Sequence, residues 1–245
     1  LALGGVYFSQ EDFQSGAELY DRAVALIEEP EDKHWNIFYQ RGIAYERLKE
    51  WDKAEPNFRK ALELYPDHPQ VLNYLGYSWV DMHMNLEEGL ELIRRAVELR
   101  PSDGYIVDSL GWAYYRLGDY DEAVEHLERA VSLRPGDPIL NDHLGDVYWR
   151  VGRRLEAQFQ WAHVLDLEPE PELEAEVEKK LADGLPPEED KKFADAGGAS
   201  PDVMSDSVPA SAESPDAKAQ AGREQGEPVA TPPHPDSAPD PEIYT

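Results

Sequence analysis

Glycine recurs in this chain at Gly42, Gly76, Gly111 and Gly145, at intervals of 34, 35 and 34 residues. A small residue recurs in step at Ala54, Gly89, Ala123 and Ala157, and a proline at Pro66, Pro101, Pro135 and Pro169, both at intervals of 35, 34 and 34. Three registers of one period imply a stack of similar units, each burying its apolar face on its neighbours. The glycine series lengthens after Gly76 and the small-residue series before Gly89. The additional residue therefore lies between them, in the turn around "DMHMN". An insertion within a helix would rotate its apolar face by about 100°. Placement in a turn predicts two helices per unit.

The segment 104–137 shows the unit in detail. Val107, Leu110, Ala113, Tyr114 and Leu117 form one helical stripe. "GDYD" interrupts it, with Gly118 suited to a helix C-terminus and Asp119 or Asp121 able to cap the next helix. A second stripe follows at Ala123, Val124, Leu127, Ala130 and Val131, and Pro135 stops it. Gly111 and Ala123 are expected where two helix backbones approach closely. Pro56 is compatible with a helix beginning near Asp52, because the first N–H groups of a helix lack intrahelical partners.

These units resemble the tetratricopeptide repeat, whose pattern runs W-x2-L-G-x2-Y, then A-x3-F, A and P. Leu110, Gly111, Tyr114, Ala123, Leu127, Ala130 and Pro135 occupy its positions. Leu144, Gly145, Tyr148, Ala157, Trp161, Val164 and Pro169 repeat the series. So do Phe38, Gly42, Tyr45, Ala54, Phe58, Ala61 and Pro66, with Arg41 at the L position. The unit 69–103 departs further, with Trp79 for Y, Gly89 for A and Ile93 for F. Leu3, Gly4, Tyr7, Gly16, Tyr20 and Ala23 match a further unit, 38 residues before the next. The resemblance implies an all-α helical-hairpin solenoid over 1–184. It comprises a partial repeat 1–34, repeats 35–68, 69–103, 104–137 and 138–171, and a capping helix 172–184 with Leu173, Val177 and Leu181 on one face. The match at the N-terminus places Leu1 within a helix, the expectation for a fragment of a longer repeat protein.

Composition limits the partners. The formal net charge is −28, which repels phosphate backbones and anionic lipid and disfavours nucleic acid. No cysteine is present, so disulfides and thiolate chemistry are excluded. No run of 18 apolar residues offers direct membrane insertion. The segment from Pro186 to Thr245 has 11 prolines, 13 acidic and 4 basic residues, with Phe193 and Tyr244 as its aromatics. A tail over 185–245 of that composition is expected to be disordered. Its "ATPPHPDSAPDP" favours polyproline II and reads as a solubilising linker or as a ligand for an aromatic groove.

No phosphate-binding glycine loop, nucleophile elbow or H-E-x-x-H motif occurs, so neither an enzyme nor a cofactor is expected. Asp142, His143 and Asp146 in "NDHLGD", and His83 between Met82 and Met84, have metal-ligand chemistry, but a polar wall and a turn are the simpler readings. His34, His68 and His126 are expected at solvated edges.

In proteins of the resembled family, the first helix of each unit lines a concave face. Carried onto this chain, the lining is Asn36, Tyr39, Gln40 and Ile43; Asn73, Tyr74 and Tyr77; Tyr105, Asp108, Ser109, Trp112 and Tyr115; and Asp142, His143, Asp146 and Trp149. This lining lacks the basic clamp that holds chaperone carboxylates in some family members. It suits a peptide of apolar and basic character, anchored on Tyr77, Trp112, Tyr115 and Trp149. Alternatively, these rings pack between neighbouring first helices. The resemblance implies a protein-binding scaffold or adaptor; the second reading is a structural or self-assembly module without a groove ligand. Patterns such as "LNYLGYSWVD" and "LNDHLGDVYWR" resemble long repeat proteins of Gram-negative bacteria, some of them exported lipoproteins of the envelope, which makes the periplasm or envelope the expected location.

Overall fold

A computed structural model describes residues 2–187, so the expected disorder of the acidic tail falls outside the described residues beyond Pro187. Eleven α-helices and one 3₁₀ turn make up the secondary structure of the described residues. In order they are α1 (Ala2–Ser9), α2 (Phe13–Ala25), the 3₁₀ turn (Asp32–His34), α3 (Trp35–Arg47), α4 (Trp51–Leu64), α5 (Pro69–Asp81) and α6 (Leu86–Leu99). They continue with α7 (Gly104–Leu117), α8 (Tyr120–Leu133), α9 (Pro138–Arg150), α10 (Arg154–Asp166) and α11 (Pro171–Asp183). The chain forms two compact units, one running to Asp119 and one beginning at Tyr120. The first holds the hairpins α1–α2, α3–α4 and α5–α6 together with α7. The second holds α8, the hairpin α9–α10, and α11.

One or two residues past each first helix the backbone turns left-handed: at Glu11, Lys49, His83, Gly118 and Gly152, with φ 55, 62, 55, 84 and 83°. The N–H of the next residue then returns to a carbonyl five residues earlier, that of Tyr7, Tyr45, Trp79, Tyr114 or Tyr148, at 2.7 to 2.9 Å. This Schellman closure pairs carbonyls that the helix end leaves open. Glycine is unstrained in this conformation, whereas a side-chain-bearing residue costs about 1–2 kcal/mol. The sequence pattern marks Gly118 alone among these positions. The inserted residue falls in Met82–Asn85, a four-residue connection where Leu48–Glu50 and Val151–Arg153 have three.

The periodic glycines receive side chains from the second helix. A Cβ on Gly42 would lie 2.7 Å from the Phe58 ring, one on Gly145 2.4 Å from Trp161 Nε1, and one on Gly4 2.0 Å from the Tyr20 hydroxyl. In these hairpins the small residue thus accommodates a ring, where close backbone approach was the expectation. The α5–α6 hairpin does bring the backbones together. There Ile93 replaces the ring, and a Cβ on Gly76 would meet the Gly89 carbonyl at 2.6 Å. The unusual Gly89 is explained by this contact: with a smaller residue at 93 the helices close until an alanine methyl no longer fits.

A second contact recurs between successive hairpins. The consensus aromatic of each first helix docks on one position of the preceding second helix, namely Asp21, Arg59, Arg94 and Glu128. Tyr45 donates to Asp21 at 2.7 Å, and Arg94 donates to the Tyr114 hydroxyl at 2.8 Å. In the second unit Tyr148 donates to Glu128 at 2.8 Å, and burial with that carboxylate pushes the hydroxyl up to about 12, keeping it a donor. Trp79 has no hydroxyl, and the Arg59 guanidinium lies over its ring, 4.6 Å from the centroid.

The helix start expected near Asp52 is found, but the free N–H groups of that start do not account for Pro56. Helix α4 begins at Trp51, so Pro56 is its sixth residue, beyond the N–H groups that are free in any helix start. Beside it the Asn57 side-chain amide donates to the Lys53 carbonyl at 2.7 Å.

Three substitutions test these contacts. Gly76→Ala is expected to lower stability by more than about 2 kcal/mol, since the opposing atom is backbone, while Gly136→Ala, which meets nothing within 4 Å, costs little. Lys49→Gly is expected to raise stability by about 0.5–1 kcal/mol through release of the left-handed strain. Urea denaturation followed by circular dichroism reads all three.

Candidate partner-binding face

The predicted lining divides by burial. In the first unit Tyr39, Asn73, Tyr74, Tyr77 and Asp108 are buried, between 0 and 9% exposed. Tyr39, Asn73 and Tyr74 pack between first helices, and the burial of all five corrects the expectation that they line an open groove. The Tyr39 ring lies 6.1 Å from both Phe58 and Tyr74, and its hydroxyl is buried without a partner. Tyr74 donates to Glu46 at 2.9 Å, and burial together with that carboxylate holds its hydroxyl well above the ordinary range. Asn73 donates to Ser109 at 3.1 Å, which in turn donates to the Tyr105 carbonyl at 3.0 Å. Position on the inner side of a first helix therefore means contact with the next first helix for most of these residues.

Trp112 and Tyr115 differ. They are half-buried on α7, one turn apart, with ring centroids 4.5 Å apart and planes inclined by 9°. Two stacked, parallel rings present one rigid apolar surface that ordering a partner does not have to fix.

At the edge of α3 the structure adds a cluster that the pattern did not single out. Trp35 lies 3.9 Å from the His68 ring, and Tyr65, 46% exposed, packs edge-on against both, at 5.8 and 5.1 Å. Burial, with the nearby positive charge of Arg100, holds His68 down at about 4. It is neutral at pH 7 and part of a packed cluster, which corrects its expected solvated position.

In the second unit the predicted wall is covered by the chain itself. Asp142, His143 and Asp146 are 5 to 6% exposed, and the Lys180 ammonium of α11 reaches both aspartates. It lies 2.6 Å from Asp142 and 3.0 Å from Asp146. Asp146 also accepts from the Trp161 indole at 3.0 Å. Burial, then repulsion from Asp142, raises Asp146 to about 6 even beside the lysine. Lys180 is also buried, which alone would lower it, but the two aspartates hold it above its ordinary value. The half-buried Trp149 is likewise enclosed. Trp161 lies 5.3 Å from it, the Arg154 guanidinium 3.8 Å over its ring, and Gly184 so close that a Cβ would lie 1.9 Å from Cζ2. These four residues were expected in an open groove; the structure places Asp142, Asp146 and Trp149 against α11 and its Gly184 end, and buries His143. The sequence signal for this was Lys180, three residues after Val177 on the apolar side of a mostly acidic helix.

Metal-ligand geometry is not assembled: no group of three or more His, Asp or Glu side chains converges among the described residues. His83 instead lies 3.4 Å from the Arg116 guanidinium, in the left-handed turn after α5.

Comparison with known proteins agrees with this geometry. Family models described as tetratricopeptide or TPR repeats match residues 1–67, 39–104 and 111–152, together more than half of the chain. A TPR repeat-containing protein of Pseudomonas aeruginosa is 32% identical over 118 residues, 46% of this chain and 20% of that protein. The BBSome complex member BBS4 of Bos taurus is 30% identical over 109 residues, 44% of this chain and 20% of that protein. The chain thus spans about a fifth of the length of these curated relatives. Among solved structures, a thermophilic TPR protein of Thermus thermophilus superposes with a TM-score of 0.62 at 21% identity, covering 74% of this chain and 97% of that one. YrrB, described as a TPR protein with an unusual peptide-binding site, superposes with a TM-score of 0.55 at 21% identity, covering 73% and 90%.

The ion cluster makes a pH-dependent prediction. Lys180→Met leaves two facing buried carboxylates. Asp146, already raised, then takes up its proton at still higher pH. Protonation of Asp146 as the pH falls relieves the repulsion. The loss of α11 docking is therefore expected to be about 3 kcal/mol at pH 8 and distinctly smaller at pH 5. Hydrogen exchange of α11 amides at the two pH values measures it.

Proposed function

We propose, from the premise that this chain is a tetratricopeptide-repeat protein, that it is a protein-binding scaffold whose α7 face captures a partner segment of apolar and basic character. The observation that carries this reading is the parallel Trp112–Tyr115 pair, the two predicted anchor rings of the first unit that keep exposed surface. The net charge of −28 favours a basic partner by long-range attraction. YrrB, which shares the fold, is described as having a peptide-binding site, and the same use of the fold is part of this proposal. So is the adaptor role.

An envelope location belongs to the proposal as well. Its support is the resemblance of "LNYLGYSWVD" and "LNDHLGDVYWR" to exported repeat proteins, and cell fractionation tests it. The second reading, self-assembly through the repeats, is favoured by the exposed Leu155 and Phe159, one turn apart on α10 at 81 and 69% exposure.

The full chain and its Trp112→Ala/Tyr115→Ala variant test the α7 reading. Partner affinity is expected to fall at least about tenfold, as for an aromatic hot spot, with helicity and sedimentation unchanged. Undiminished capture by the variant rules out the α7 face. Loss of self-association instead assigns the rings to assembly.

A further inference from the structure

We propose that α11 is a displaceable cover, and that the α9–α10 face beneath it is a docking surface for a basic amphipathic partner helix carrying a lysine three residues after a small apolar residue. The attachment of α11 is narrow. Val177 is its one fully buried side chain, with Leu173 and Leu181 half-buried. Beyond Val177 it is held by Lys180 on Asp142 and Asp146, by Gly184 on the Trp149 ring, and by Arg150 donating to the Pro186 carbonyl at 2.7 Å. A helix of 13 residues has little stability of its own in water, so release from this face exposes it to unfolding.

The face itself is specific for a cation carried on a helix. It offers the apolar seat that Val177 occupies, two carboxylates 6% exposed, one of them already oriented by the Trp161 indole, and an aromatic ring one turn further on. A charge pair buried in this way needs its ammonium, because without it two like charges face one another in a poorly solvated wall. Apart from Lys179 and Lys180, α11 carries Glu172, Glu174, Glu176, Glu178 and Asp183, all exposed, in a chain of net charge −28. A helix with the same valine-to-lysine spacing and a basic outer face keeps the Val177 and Lys180 contacts and gains long-range attraction to the chain. Such a helix competes with α11. The intramolecular contact then acts as a threshold that partners lacking the lysine do not pass.

The probe is a labelled peptide of the sequence Pro171–Gly184 carrying Glu172→Gln, Glu174→Lys, Glu176→Gln and Glu178→Lys. Its control carries Lys180→Gln in addition. Fluorescence anisotropy measures binding to the full chain, to the full chain with Lys180→Gln, and to the full chain with Lys180→Gln, Asp142→Asn and Asp146→Asn. The expected result is binding of the probe to the Lys180→Gln chain at least tenfold tighter than to the unaltered chain. Binding is expected to be lost on removal of the aspartates, and the control peptide is expected to remain unbound. Equal binding to all three chains, or none to a Lys180→Gln chain of unchanged helicity, overturns the proposal. If that variant loses helicity, hydrogen exchange of the unaltered chain decides. Exchange of α11 ahead of α9 and α10, accelerated by the probe but not by the control, supports a displaceable cover. Exchange of all three helices together, unaffected by the probe, overturns it.

Discussion

The contact on which each hairpin depends is the seat that the glycine of the first helix provides for one side chain of the second. A tyrosine, phenylalanine or tryptophan occupies it at Gly4, Gly42 and Gly145, where even a methyl group would enter the ring. Dense interiors leave no slack at such a point, so the pair fixes how closely two helices approach and at what axial position. When the ring is replaced by Ile93, the helices close until Gly76 and Gly89 meet backbone to backbone. The unit 69–103, which departs most from the consensus, is thus a compensated version of the same contact.

Once the spacing within a hairpin is set, successive first helices meet along their sides, and this determines which residues have surface left. Tyr39, Tyr74 and Asn73 spend their rings and amide on the neighbouring first helix. The stacked Trp112 and Tyr115 retain exposed area and with it the capacity to bind. The recurrent latch between a first-helix aromatic and Asp21, Arg59, Arg94 or Glu128 adds polar order to what is otherwise apolar packing. At the three tyrosines it accepts either sign of charge because a phenol both donates and accepts.

The second unit shows how a repeat ends. The final first helix, α9, would present two aspartates and a tryptophan to water, and α11 covers them with one valine, one lysine and the backbone of Gly184. An acidic helix thus closes an acidic chain through one ammonium. This narrow attachment separates α11 from the helices that carry a full apolar stripe.

The sequence by itself determined the architecture. Period, insertion point and paired stripes are properties of spacing, and spacing along a helix translates directly into which side of it a residue occupies. The hairpins were legible for that reason. Glu11, Lys49 and His83 were not legible as left-handed residues, because nothing in a glutamate, lysine or histidine announces that the turn geometry overrides its preference. Pro56 within α4 is the same kind of override. The candidate site was legible as a set of positions but not as a surface. Identical reasoning placed Tyr77, Trp112 and Trp149 on the inner side of their helices, yet Tyr77 is buried, Trp112 is half-buried and Trp149 lies beneath Gly184. Only the tertiary structure decides among these fates, because burial depends on what a neighbouring segment brings to the position, and that neighbour stands tens of residues away in the chain.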